Sequence, residues 1–217
     1  MNTLSKYALS TLLGVSISYN ANALQFDLNT QYSGGAQPAG FLRVAITDTG
    51  TPNTVQVTLT SFLQGTEFAS DVYLNLDPTL NPSLLTGLVT PTSTTGTFVN
   101  PTVNLGANAF SADGGGNYDI NFAFQTGPPS ARFDNGDSVT YVVAGITGLD
   151  ALDFSFLSQP PNGGNGFHIA AAHIQAITPN SSGSTSSFVS TVPDGGATAM
   201  LLGIAFVSLG AFRRRLA

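Results

Sequence analysis

The 217-residue chain contains no cysteine and no tryptophan. Without thiols there can be no disulfide staple, no thiolate nucleophile and no cysteine-ligated metal, although missing cysteine does not assign a redox compartment. Without tryptophan, a sugar-stacking platform would have to be built from tyrosine and phenylalanine alone. Charge is scarce as well: charged residues make up 8%, against about a quarter in ordinary soluble domains. Between Leu24 and Val192 the only cations are Arg43 and Arg132, set against eleven acidic residues. A nucleic-acid partner would need a basic stripe, which is absent, and anionic lipid surfaces are disfavoured for the same reason. The acidity favours solubility and can attract cations.

What remains is a chain with 42% hydrophobic residues, enough for a core. Its polar surface must come from Thr, Ser, Asn, Gln and Gly, a composition that favours strands and turns over salt-bridged helices. The length accommodates one domain and two terminal signals. Met1–Ala23 reads as a secretory signal peptide, with Lys6 in the n-region and Tyr7–Ile17 as the apolar stretch. Ala21-Asn22-Ala23 forms a small-residue cleavage site that predicts Leu24 as the new terminus.

Residues 24–177 alternate period-two segments with turn clusters, and no fixed-period repeat is evident. In Thr54–Leu63, Val55, Val57 and Leu59 face one way while Thr54, Gln56, Thr58 and Thr60 face the other. Strands are also predicted at Leu24–Leu28, Phe41–Ile46, Asp71–Leu76, Tyr118–Gln125, Ser138–Ile146, Asp153–Leu157 and Phe167–Ile177. Thr97–Leu105 reads as an edge strand, because Pro101 cannot donate to a ladder. Pro91 to Gly96 reads as a Thr-rich loop. Tyr118, Ile120, Phe122 and Phe124 are expected on one face. The prediction is an all-β, antiparallel β-sandwich or jelly-roll-like domain. Residues 178–191, rich in Ser, Thr and Gly, read as a flexible stalk.

The tail has three parts: Val192-Pro193-Asp194-Gly195-Gly196, an uncharged apolar run over 197–212, and Arg213-Arg214-Arg215. The run is apolar on every side, as a helix surrounded by lipid or by a dry core would be, and its length is at the short end for spanning a bilayer. The arginines predict a cytoplasmic C-terminus, which leaves the β domain outside.

This ordered triple resembles the PEP-CTERM class of bacterial sorting signals in its VPDSG-CTERM form, with Gly195 where that form has serine. The resemblance implies recognition of Pro193 and Asp194 by an exosortase, retention by Arg213–Arg215 and processing of the tail. Asp194 stands where the commoner motif has glutamate and no second proline follows, so the exosortase subtype stays open. Phe26, the stretch ending Tyr73-Leu-Asn-Leu-Asp77-Pro78, and Phe167–Gln175 are similar to segments of β-rich domains in exported PEP-CTERM proteins. Those domains carry no established activity, so the similarity brings no catalytic residues. The implied setting is exopolysaccharide, biofilm or cell envelope.

Candidate chemistry inside the domain is sparse. His168 and His173 lie five apart on an expected strand, on opposite faces unless a bulge intervenes, and so form no ready metal pair. No Gly-x-Ser-x-Gly elbow accompanies them. Asp113, Asn117 and Asp119, and separately Asp134, Asn135 and Asp137, place oxygen ligands on Gly-containing loops where calcium could bind. Neither loop has the Asp-x-Asp-x-Asp-Gly spacing, and Asx-Gly pairs are turn formers first. Tyr32, Tyr73, Tyr118, Tyr141 and the phenylalanines could stack on sugars, but their alternation sends most of them inward. The sequence therefore reads as an exported, non-enzymatic envelope or matrix protein without a cofactor, of structural or adhesive role. A carbohydrate- or calcium-binding module and a secreted hydrolase are the alternatives.

Overall fold

The computed structural model describes residues 22–159, 167–177 and 185–191. The predicted stretches of alternation, Asp153–Leu157 excepted, become strands of two antiparallel sheets, joined by three strands that the alternation did not mark. In chain order they are β1 (Ala23–Leu28), β2 (Thr30–Gly34), β3 (Leu42–Asp48), β4 (Val55–Ser61), β5 (Phe68–Leu74), β6 (Ser93–Thr95), β7 (Thr102–Ser111), β8 (Asn117–Ala123), β9 (Ser138–Val143), β10 (Ala170–Gln175) and β11 (Ser186–Ser190). One sheet has the order β1-β3-β4-β9-β6 and the other β2-β11-β10-β5-β8-β7. Three short 3₁₀ turns are the only helical elements among the described residues.

The core follows from the alternation. Val55, Val57 and Leu59 are buried while Gln56 is exposed, and Val44, Ile46, Val139 and Tyr141 continue the inner face across neighbouring strands. From the six-stranded sheet, Val72, Leu74, Ile120, Phe122, Ala172 and Val189 join the same cluster, so the two sheets share one core. Removing such side chains from water is the main favourable term in folding.

The strand pattern differs from the sequence reading at several points. Asp153–Leu157 is not a strand: residues 151–154 form a 3₁₀ turn and 155–157 carry no strand pairing. Asp150 caps it by accepting the Leu152 amide at 2.7 Å, and Asp153 returns a bond to the Asp150 amide at 2.9 Å. Ala151 and Phe154, three residues apart, are then both buried. Within Pro91–Gly96, Ser93–Thr95 pairs with β9, so part of the expected loop is a short edge strand. Thr97–Leu105 is indeed where an edge strand lies, but it begins after Pro101 and runs on to Ser111.

The largest difference concerns the expected stalk. Ser186–Ser190 is a strand paired on both sides, to β10 and to β2. Two filled ladders hold it, and the small side chains of Ser187 and Ser190 are buried between its neighbours. Backbone pairing of this kind leaves little trace in a hydrophobic pattern. Residues 178–184 of that stretch lie outside the described residues.

Candidate functional site

The solvent side of the six-stranded sheet carries a second, smaller cluster. Tyr73, Tyr118, Ala112 and Ala171 are buried there, with Tyr32, Phe110 and Phe188 packed against them. Tyr118 therefore does not share a face with Ile120 and Phe122 as the alternation predicts. The β7–β8 ladder shifts register between Leu105 and Phe110, which releases Tyr118 from the strict pleat. Burial pushes the hydroxyls of Tyr32, Tyr73 and Tyr118 above the ordinary tyrosine range.

Both histidines belong to this outer cluster, which corrects the expectation of opposite faces. His168 lies ahead of β10 and escapes strand parity; its ring stacks on Tyr32 at 4.5 Å. His173 stacks on Phe188 at 4.3 Å. Tyr32 and Phe188 themselves lie 6.2 Å apart, so two aromatic rings stand between the imidazoles. Ser70 Oγ sits 2.8 Å from His173 Nδ1 and donates to Asp71 Oδ2 at 2.9 Å. The carboxylate is 3.9 Å from the imidazole and also accepts from Asn121 at 3.1 Å. Burial opposes ionisation of Asp71, but the nearby His173 imidazole and hydrogen bonds from Asn121 and Ser70 outweigh it and hold the carboxyl below the usual range. In a hydrolytic triad the histidine stands between serine and carboxylate. Here the serine stands between them and is itself buried.

His168 makes a pH prediction. Its Nε2 is buried without a hydrogen-bond partner among the described residues, and burial lowers its pKa. The unfolded chain then binds the proton more readily than the folded one. The resulting stability is present above the ordinary imidazole value of about 6.5 and is lost as pH falls through the lower folded value. Melting temperatures measured from neutral pH downward should therefore decline less steeply for His168→Gln than for the unaltered chain. Parallel profiles would contradict this.

The acidic loop residues act as fasteners for the backbone. Asp119 accepts from the Leu76 amide at 2.9 Å and the Asn108 amide at 2.7 Å. Asp137 accepts from Asp134 at 2.9 Å and Thr97 at 3.1 Å. Burial nevertheless pushes the Asp137 carboxyl up. Asp113 accepts the Ser33 hydroxyl. Asn117 opens β8, while Asp134 and exposed Asn135 sit in the turn before β9. The structure thus spends the oxygens of Asp119 and Asp137 on amides rather than turning them to one centre, and no group of three potential metal ligands occurs among the described residues. The glycine run at 114–116 has a packing cause. A Cβ on Gly115 would meet the Tyr32 ring at 2.5 Å, and one on Gly116 would meet Ser158 Oγ at 2.1 Å.

The outer face of the five-stranded sheet is different in character. Phe41 and Phe62 stand opposite each other, joined by the Phe62 amide to the Phe41 carbonyl at 2.9 Å. Their rings stack at 4.8 Å, and the Arg43 guanidinium lies 5.6 and 5.4 Å from the two centroids. Arg43 is held by Asp27 through two hydrogen bonds of 2.7 and 2.8 Å. Beyond this pair come hydroxyl rows, with Thr60 Oγ1 3.2 Å from Ser138 Oγ and Thr58 Oγ1 3.1 Å from Thr140 Oγ1. The sequence reading sent most phenylalanines inward. Phe62, however, has the parity of Thr58 and Thr60, and that was the signal for its outward position.

A cavity of about 340 Å³ lies between the turn at Gly50–Thr54 and residues Gly148–Asp150. Asp48 in its lining already accepts from the amides of Asn22 at 2.7 Å and Ala151 at 2.8 Å. This end of the domain adjoins the expected cleavage point: Ala23 is exposed, opens β1 and pairs with Thr47. Ala21 lies outside the described residues. So do the remaining signal peptide, the expected membrane segment 197–212, and the sorting residues Val192, Pro193, Asp194, Gly195, Gly196, Arg213, Arg214 and Arg215. No helix among the described residues is long and apolar enough to cross a membrane.

Comparison with known proteins found no matching curated protein and no matching solved structure. One family does match: the VPDSG-CTERM motif, over residues 191–216. That span coincides with the proline turn, apolar run and arginine cluster read from the sequence. The chain thus carries at its C-terminus a VPDSG-CTERM motif, a PEP-CTERM-like sorting signal.

Proposed function

We propose that this chain is an exported structural or adhesive protein of the cell envelope or extracellular matrix, delivered there by processing of its C-terminal signal. The observation that carries the reading is the sorting motif over residues 191–216. An exosortase-type membrane protease is the proposed partner, reading Pro193 and Asp194. The run over 197–212 crosses the inner membrane before processing, and Arg213–Arg215 remain cytoplasmic. The signal peptide supplies the first half of the route and the tail the second.

The domain is proposed to be non-enzymatic and without a cofactor. Supporting this are the placement of Ser70 between His173 and Asp71, which does not match a proton relay, and the engagement of Asp119 and Asp137 with backbone amides. A second reading, a carbohydrate-binding module, is favoured by the outward Phe41–Phe62 pair beside the hydroxyl rows.

Changing Pro193 to Ala tests the delivery route. In the native host the variant is expected to keep its tail and stay in the membrane fraction, whereas the unaltered protein is shortened. Processing of the variant at the unaltered rate would overturn the assignment of Pro193 and Asp194.

A further inference from the structure

The two outer faces of the molecule are not equivalent. The six-stranded sheet closes its outer side with an aromatic cluster and the Ala112–Gly116 loop, which Tyr32, Tyr118 and Ser158 bind through main-chain carbonyls at 2.8 to 3.0 Å. On the five-stranded sheet Gln25 and Gln56 are exposed, and Thr58, Thr60, Ser138 and Thr140 are partly exposed. Register places these side chains in rows across the strands: Asp27, Arg43, Thr60 and Ser138 in one, Gln25, Ala45, Thr58 and Thr140 in the next. Strands lie about 4.8 Å apart, and side chains on one face recur about every 6.8 Å along a strand, so the hydroxyls form a regular grid.

We propose that this face binds a neutral polysaccharide chain, laid across the hydroxyl rows with a sugar ring against Phe62. Three features select that ligand. A hydroxyl both donates and accepts, as does a sugar hydroxyl, so a grid of them can satisfy a polyol in many orientations. Phe62 is 37% exposed and is held in place by its stack on Phe41, presenting an apolar ring that the C–H side of a pyranose can cover. The charge also fits: Asp27 and Arg43 neutralise each other through two hydrogen bonds, leaving the face without net charge. Acidic residues dominate the rest of the domain, where between Leu24 and Val192 only Arg132 remains as a further cation. A polyanionic chain would therefore be repelled by the surroundings, and an uncharged one would not.

This deepens the adhesive reading and rests on the domain being displayed outside the cell. The test uses the purified full-length chain in mild detergent, so that its outcome is independent of how the tail is processed. Native electrophoresis is run through gels containing hydroxyethylcellulose, dextran or galactomannan, with alginate as the charged control. Retardation is expected in at least one neutral gel and none in alginate. Phe62→Ala, and separately Thr58→Val with Thr140→Val, should each lose roughly tenfold in apparent affinity. Both variants should stay folded and melt cooperatively, with losses small beside that of a core truncation, because these side chains lie outside the core. Absence of retardation in all three neutral gels would overturn the proposal. So would equal retardation of folded variants, or retardation by alginate alone.

Discussion

Phe133→Ala is expected to cost the domain roughly 3–5 kcal/mol, as truncation of a well-packed aromatic does. Phe133 is fully buried, stacked on Phe124 at 4.3 Å and met edge-on by Phe98 at 5.0 Å. Its carbonyl accepts the Ala69 amide at 2.9 Å, tying the segment before β9 to β5. Removing the ring leaves two aromatic partners facing a void that the stiff sheets cannot close. Domain stabilities are only about 5–15 kcal/mol, so this single change consumes a large fraction. At about 2–4 °C per kcal/mol for a domain of this size, the melting temperature should fall on the order of 10 °C. Phe133→Leu, which refills much of the volume, should recover most of the loss. Thermal and urea denaturation check both variants. A fall of about 2 °C or less for the alanine variant would mean that the site collapses, contrary to this packing.

The second large effect is expected at Glu67, which is only 5% exposed. Its carboxylate accepts three backbone amides: Ala39 at 2.7 Å, Gly40 at 3.2 Å and Gln64 at 3.1 Å. It pins the segment before β3 against the turn between β4 and β5. The approach is close enough that a Cβ on Gly40 would meet the Phe62 carbonyl oxygen at 2.2 Å. Glu67→Ala would leave three donors without an acceptor, and each orphaned buried group costs about 1–3 kcal/mol. A total near 3 kcal/mol is expected, since water reaches part of this segment. Glu67→Gln keeps the shape and one oxygen and should fall between. Chemical denaturation decides: a Glu67→Ala loss within about 0.5 kcal/mol of zero would show that the amides find other partners.

These two residues also show what the sequence could and could not reveal. The strands with clean alternation, β1, β3, β4 and β9, were legible because one face meets the core and the other meets water. Central strands of the six-stranded sheet were harder. β5 is covered on both sides, by the main core and by the tyrosine cluster, so its seven residues show little period-two contrast. β11 was hidden because serine burial and ladder bonds carry no hydrophobic signal. Nothing in the sequence marks Glu67, because two of its three partners are backbone amides nearly thirty positions away, which no side-chain pattern encodes. The Asp113–Asp119 loop resembled a cation loop, yet its glycines answer to Tyr32 and Ser158, partners that only the fold brings near. The C-terminal signal was readable for the opposite reason: its whole pattern is contiguous in the sequence.

On the proposed function, both ends of the chain are addresses and the β domain alone is the delivered product. Mass spectrometry of the protein recovered from its native host examines both ends in one measurement. It is expected to find a first residue of Leu24 and a last residue within or just before Val192–Gly196, without the apolar run or the arginines. Recovery of an unprocessed chain from Met1 through Ala217 would contradict the account.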